Sequence, residues 1–173
     1  AFPQSYINRY EAGGAVYDIG KMEEAIAARA LSLELYRHRS EGDRILHLKI
    51  YNPNEEIALS DILPMMENAG FRVIEEHPFH VTMPEGAPVW IRDFKLELPV
   101  SAKRKLEEVK PFLEHALMKV WRRAMENDRF NALILLAGLD WRQVVCLRAL
   151  GKYLKQIGFN ASQPAIEQAL SQH

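Results

Sequence analysis

The spacing of apolar positions changes twice along this chain of 173 residues. Val16, Ile19, Met22 and Ile26 recur every three to four residues, which predicts an amphipathic helix from about Gly14 to Ala30. Leu33 and Leu35 then alternate with Glu34 and Tyr36, and Leu46, Leu48 and Ile50 alternate with His47, Lys49 and Tyr51. Strict alternation puts one face of a strand inward, so these segments are expected to be two half-buried strands. Ser40-Glu41-Gly42-Asp43 between them is a turn signal, giving a hairpin. A second helix is expected with Ser60 as its N-cap, Asp61 in the first turn and Gly70 at its stop; its stripe is Ile62, Leu63, Met66 and Ala69. Two more strands follow, about Arg72 to Thr82 and Val89 to Leu98, with Pro84-Glu85-Gly86 between them. In the last strand Phe94, Leu96 and Leu98 face one way and Lys95 and Glu97 the other, and Pro99 closes it.

Helix, strand, strand, helix, strand, strand is the order of an α+β domain. The expected fold is an ACT-like or ferredoxin-like four-stranded antiparallel sheet with two helices on one face, in a shifted variant of the usual order. This domain occupies residues 1–100, and residues 101–173 form an all-helical subdomain. There Leu106, Val109, Leu113, Leu117, Val120 and Ala124 keep helical spacing along one long helix, which Pro111 should kink or split near Lys110. Asp128 caps a short helix ending at Gly138. Asp140 and Gln143 form a capping box for a helix that buries Trp141, Val144, Leu147, Leu154 and Ile157 and stops at Gly158. Ser162 caps the last helix. These helical stripes need a surface to bury against: the sheet domain, or a partner segment outside this chain.

Composition narrows the function classes. The chain is 48% hydrophobic and 26% charged, ordinary for a globular protein, and 22 basic against 23 acidic side chains leave a net charge of -1. That balance gives no long-range attraction for nucleic acid or an anionic membrane. The basic run Lys103-Arg104-Lys105 is followed at once by Glu107 and Glu108 and reads as a solvated helix face. No apolar run approaches the roughly 20 residues that cross a bilayer. Cys146 is the only cysteine, so no disulfide forms within the chain, which fits a cytoplasmic protein. The chain lacks an initiator methionine, so Ala1 is expected to be a processed end or a cut boundary.

No catalytic, cofactor-binding or metal-ligating residue emerges. Cys146 lies between Val145 and Leu147 and is expected to be a buried structural thiol. His77 and His80 would point to opposite faces of a strand. His38 and His47 could approach across the hairpin, but no carboxylate or cysteine at ligand spacing joins them. The nine glycines form neither a phosphate-cradling loop nor a dinucleotide fingerprint. The acidic pairs Glu23-Glu24, Glu55-Glu56, Glu75-Glu76 and Glu107-Glu108 are sequence neighbours that diverge on any regular element, so they read as solvated faces.

Two groups of segments carry a resemblance. The first is Leu48-Lys49-Ile50-Tyr51, Leu59-Ser60-Asp61-Ile62-Leu63-Pro64, Asn68-Ala69-Gly70-Phe71-Arg72-Val73-Ile74 and Val89-Trp90-Ile91-Arg92-Asp93-Phe94. It resembles the last ACT-like module of the large bacterial NAD-specific glutamate dehydrogenases. The second is Glu126-Asn127-Asp128-Arg129-Phe130-Asn131, Ala137-Gly138-Leu139-Asp140-Trp141-Arg142 and Tyr153-Leu154-Lys155-Gln156-Ile157-Gly158-Phe159. It is similar to the helices joining that module to the catalytic core. The resemblance implies a piece of a longer enzyme that deaminates L-glutamate to 2-oxoglutarate and ammonia while reducing NAD. It further implies that the catalytic residues and the NAD site lie beyond His173, in a catalytic domain of the same chain. The full enzyme is then expected to be a homo-oligomer, and this piece a regulatory and architectural segment that is inactive alone. The alternative is a free-standing ACT-like module that binds an amino acid. ACT modules bind such ligands at a strand-to-helix corner, which here runs from Asn52 to Ser60 and makes Asn54 and Ser60 the candidate contacts. The corner has no glycine, and Glu55 and Glu56 would repel an anion.

Overall fold

A computed structural model of the chain describes every residue except 39, 84, 85, 87, 103 and 173, with the side chains of 171 and 172 also undescribed. The expected turn at Pro84 and Glu85, and the Lys103 end of the basic run, lie outside the described residues. In chain order the elements are α1 (Gln4–Ile7), α2 (Ala12–Ala28), β1 (Ser32–Tyr36), β2 (Ile45–Pro53), α3 (Leu59–Asn68), β3 (Arg72–Val81), β4 (Val89–Glu97), α4 (Leu106–Trp121), a 3-10 turn (Arg129–Asn131), α5 (Ala132–Ala137), α6 (Trp141–Gln156) and α7 (Gln163–Gln172). The four strands form one sheet in the order β1-β2-β4-β3. The hairpin strands β1 and β2 pair antiparallel, with Glu34 opposite Lys49 and Tyr36 opposite His47. The connection β2-α3-β3 leaves room for β4 between the two strands it links, and the preceding helix and strand supply the fourth strand at the β2 edge. This is the shifted ferredoxin-like order that the sequence pattern implies.

The chain divides into two compact units, residues 1–59 with 73–96, and residues 60–72 with 97–173. In the first unit α1 and α2 cover one face of the sheet. Tyr6, Met22 and Ala25 from the helices pack with Tyr51, Phe79, Val81, Val89 and Ile91 from β2, β3 and β4. The short helix α1 has no signal in the apolar pattern. The inward face of α2 also differs from expectation: Val16 is 69% and Ile19 37% exposed, whereas Asp18 is only 2% exposed. Asp18 turns inward because Lys49 and two tyrosine hydroxyls meet it there, a pairing that hydrophobic periodicity does not register. Likewise β2 is not half-buried. It is buried from Leu46 to Pro53 without alternation, as a central strand is.

In the second unit, α5 packs against α4, α6 and α7. Phe130, Leu133, Ile134 and Leu135 are its buried centre, joined by Val109, Leu113 and Leu117 from α4 and Val144 from α6. The helix α3 belongs to this unit with Ile62, Met65 and Met66 buried; Asn68 Nδ2 donates to the Asn127 carbonyl at 3.2 Å. Gly70, Gly138 and Gly158 all take positive φ where the sequence places helix stops. A Cβ on Gly70 would also come within 3.2 Å of the Ala132 Cβ. Asp128 accepts from the Phe130 amide, and Asp140 with Gln143 forms the expected capping box. Ser162 Oγ accepts from the Ala165 amide.

Four expectations are corrected in this unit, the first being that Ile157 is buried: it is 60% exposed. Helix α4 is not split at Pro111 but runs unbroken through it, ending at Trp121 before Ala124. Ser60 lies within the first turn of α3 instead of capping it, because the helix starts at Leu59. Cys146 is exposed, since α6 turns Val144, Arg148 and Gly151 inward and carries Cys146 outward.

Candidate functional site

The densest gathering of polar groups sits in the first unit, on the sheet face under α1 and α2. Alternation along β1 and β2 sends Glu34, Tyr36, His47, Lys49 and Tyr51 to this face, and Asp93 on β4 joins them. Lys49 Nζ donates to Asp18 Oδ2 at 2.7 Å and lies 3.7 Å from the centre of the Tyr10 ring. Asp18 also accepts from the hydroxyls of Tyr6 and of Tyr51, the latter at 2.7 Å. Asp93 accepts from Tyr10 and, at 2.9 Å, from Tyr36. Every one of these ionised groups meets an opposite charge or a donor, the condition under which charge survives burial.

His47 links this cluster to the hairpin. Its Nε2 is 2.7 Å from Glu41 Oε2 and its Nδ1 is 3.4 Å from Asp93 Oδ1, while Glu41 Oε1 is 2.8 Å from Lys95 Nζ. The His38 and His47 rings do approach, with centroids 4.9 Å apart. Two carboxylates approach His47: Glu41 from the hairpin turn six positions away, and Asp93 from β4. Even so, no three potential metal ligands converge among the described residues. Burial works against a charged His47, yet hydrogen bonding and attraction to Asp93 and Glu41 raise its pKa above the ordinary 6.5. Burial would raise Asp93, but its bonds from His47 and Tyr10 hold it below the ordinary carboxylate range. Desolvation, then the neighbouring aspartates, push Tyr6, Tyr10, Tyr36 and Tyr51 far above an ordinary phenol, so all four stay neutral donors.

These shifts set a pH dependence. A raised histidine stabilises the fold fully below its unfolded value near 6.5 and loses that contribution as pH climbs through the higher folded value. The lowered Asp93 and Glu41 stabilise above their unfolded values and lose that as pH falls through lower folded ones. The first unit should therefore be most stable in mildly acidic solution and weaken on the alkaline side of pH 6.5. In urea titrations across pH 5 to 9, His47→Gln should flatten that alkaline decline; an unchanged slope would refute the assignment.

His77 sits 3.3 Å from Glu75, and His80 stacks near Trp90, on the exposed stretch of β3. Glu56 and Glu76 are not merely solvated, since both ion-pair with the guanidinium of Arg92. Asn54 is exposed in the first unit, at φ 75, with its amide donating to the Pro88 carbonyl at 2.9 Å. Ser60 is exposed in the second unit.

The second unit has its own buried cation, which sequence reading did not find. Arg148 Nε donates to Asp128 Oδ2 at 2.7 Å, and its Nη2 donates to Asp128 Oδ1 at 2.8 Å and Asn131 Oδ1 at 2.7 Å. Both clusters are bonded inward. With about 5% of Lys49 and 3% of Arg148 exposed, neither offers a reacting group to a substrate in this conformation.

Comparison with known proteins adds what the geometry leaves open. Residues 30–109 match the ACT3 domain of glutamate dehydrogenase, and residues 125–173 match its helical motif 3. The NAD-specific glutamate dehydrogenase of Halomonas elongata is 44% identical over 174 residues, covering 100% of this chain. Those of Pseudomonas aeruginosa and Mycobacterium tuberculosis are 34% identical over 172 residues and 36% over 179, covering 99% and 100% of it. The chain spans about 11% of the length of each of these relatives.

Proposed function

Because the chain belongs to the large NAD-specific glutamate dehydrogenases, we propose that it serves such an enzyme as a non-catalytic structural and regulatory segment. In this reading the full polypeptide converts L-glutamate, NAD and water to 2-oxoglutarate, ammonia and NADH. It does so in the cytoplasm, as a homo-oligomer, in amino-acid catabolism. NAD and glutamate bind in a catalytic domain of the same polypeptide, and residues 101–173 lead toward it from the ACT-like residues 1–100. The observation that carries this reading is the inward bonding of the charged residues. Lys49 pairs with Asp18 in the first unit and Arg148 with Asp128 in the second, as groups that hold a scaffold together do. An amino-acid effector is proposed to contact the first unit at the exposed Asn54.

One pair of measurements tests the proposal. The 173-residue chain should show no glutamate-dependent reduction of NAD, while the full-length polypeptide turns over. Turnover by the short chain would sink it. A melting temperature unmoved by any common amino acid would remove the effector site and leave the structural role.

A further inference from the structure

We propose that the outward face of α6, together with the groove beside the end of α4, receives an acidic amphipathic helix from elsewhere in the same long polypeptide. This rests on the segment reading above. A helix on a globular surface ordinarily carries one apolar stripe, and α6 carries two. Val144, Arg148 and Gly151 face inward. Cys146, Leu150, Tyr153 and Ile157 follow at spacings of four, three and four on the other side, with Leu150 53%, Tyr153 57% and Ile157 60% exposed. The stripe is about 16 Å long, three turns of helix. Along its flank a cavity of about 510 Å³ is lined by the apolar Val120, Met125, Val145 and Ala149 and by the charged Arg123, Glu126 and Lys152.

Charge says what covers this surface. From Lys119 to Lys155 the sequence holds eight Lys and Arg against three Asp and Glu. All three acids are engaged within the unit: Glu126 with Lys152, Asp128 with Arg148, and Asp140 in the helix cap. Arg123 and Arg142 have no carboxylate partner among the described residues, and Arg142 lies over the Trp141 ring at 4.9 Å. A partner with apolar side chains between carboxylates matches this pattern. A second copy joined through the same face by a two-fold axis would set these arginines against each other. The relatives, of which this chain spans 11%, carry abundant further polypeptide to supply the helix.

Cys146 is the only cysteine in the chain and lies on the stripe, so it reports the contact directly. Alkylation by N-ethylmaleimide, read at the Cys146 peptide by mass spectrometry, should be at least about tenfold slower in the full-length enzyme than in the 173-residue chain. Arg123→Glu with Arg142→Glu in the full-length enzyme should restore most of the rate. Equal rates in an enzyme that still oxidises glutamate would overturn the docking surface while leaving the segment reading intact. Protection that persists after the charge reversal would overturn the acidic partner. Labelling of the short chain that slows with concentration as it elutes as a dimer would overturn it in favour of a second copy.

Discussion

Replacing Lys49 by Met is expected to cost the sheet unit about 3–5 kcal/mol of stability, the usual range for breaking a buried ion pair from one side. The methionine fills nearly the same volume, so packing beneath α2 changes little. What changes is Asp18, whose side chain is only 2% exposed and would keep two tyrosine donors but lose its cation. The unpaired charge, not the missing contact, carries most of the cost. Lys49→Met combined with Asp18→Asn should therefore recover about half of the loss, since the amide oxygen accepts from one tyrosine hydroxyl, the amide nitrogen donates to the other, and no cation is needed. Urea unfolding measures the totals, and hydrogen exchange on β1 and β2 locates them. A loss below about 1 kcal/mol for Lys49→Met would mean that the pair does not support the fold.

Arg148→Met should have the second largest effect, about 3 kcal/mol, at the lower end of that range because Asp128 is 18% exposed. The guanidinium ties three elements at once. It makes two parallel bonds to Asp128, the residue that caps the 3-10 turn, and a third to Asn131 at the start of α5, all from the middle of α6. Lysine would not substitute, because a point charge cannot hold both carboxylate oxygens and the amide together. Arg148→Lys is expected to recover less than half of the loss. Exchange protection should fall in α5 and α6 while β1 and β2 hold theirs. Loss in the sheet instead would contradict the division into separate compact units.

The residues that were legible from sequence share a short range of action. Asp128, Asp140 with Gln143, and Ser162 each satisfy amides two or three positions away, and Gly70, Gly138 and Gly158 each relieve strain at their own φ. The four strands were visible for the same reason, since alternation is a property of neighbours. What was illegible depends on residues far apart in the chain. Val16 and Ile19 look like core and Asp18 like surface until Lys49, 31 positions away, is placed beneath Asp18. His47 looks unaccompanied until Asp93 arrives from β4. Arg148 looks like one more helix-surface cation, with nothing in its neighbourhood to announce Asp128.

By itself, then, the order of residues determined where elements begin and stop, the α+β character of the chain, and a family likeness carried by strings of adjacent side chains. Tertiary structure alone decided which face of α2 and α6 turns inward and which polar groups are buried. The physical reason is that helix caps and strand alternation are settled within a few residues. A buried charge is tolerable only when a partner from another element meets it, and folding is what supplies that partner.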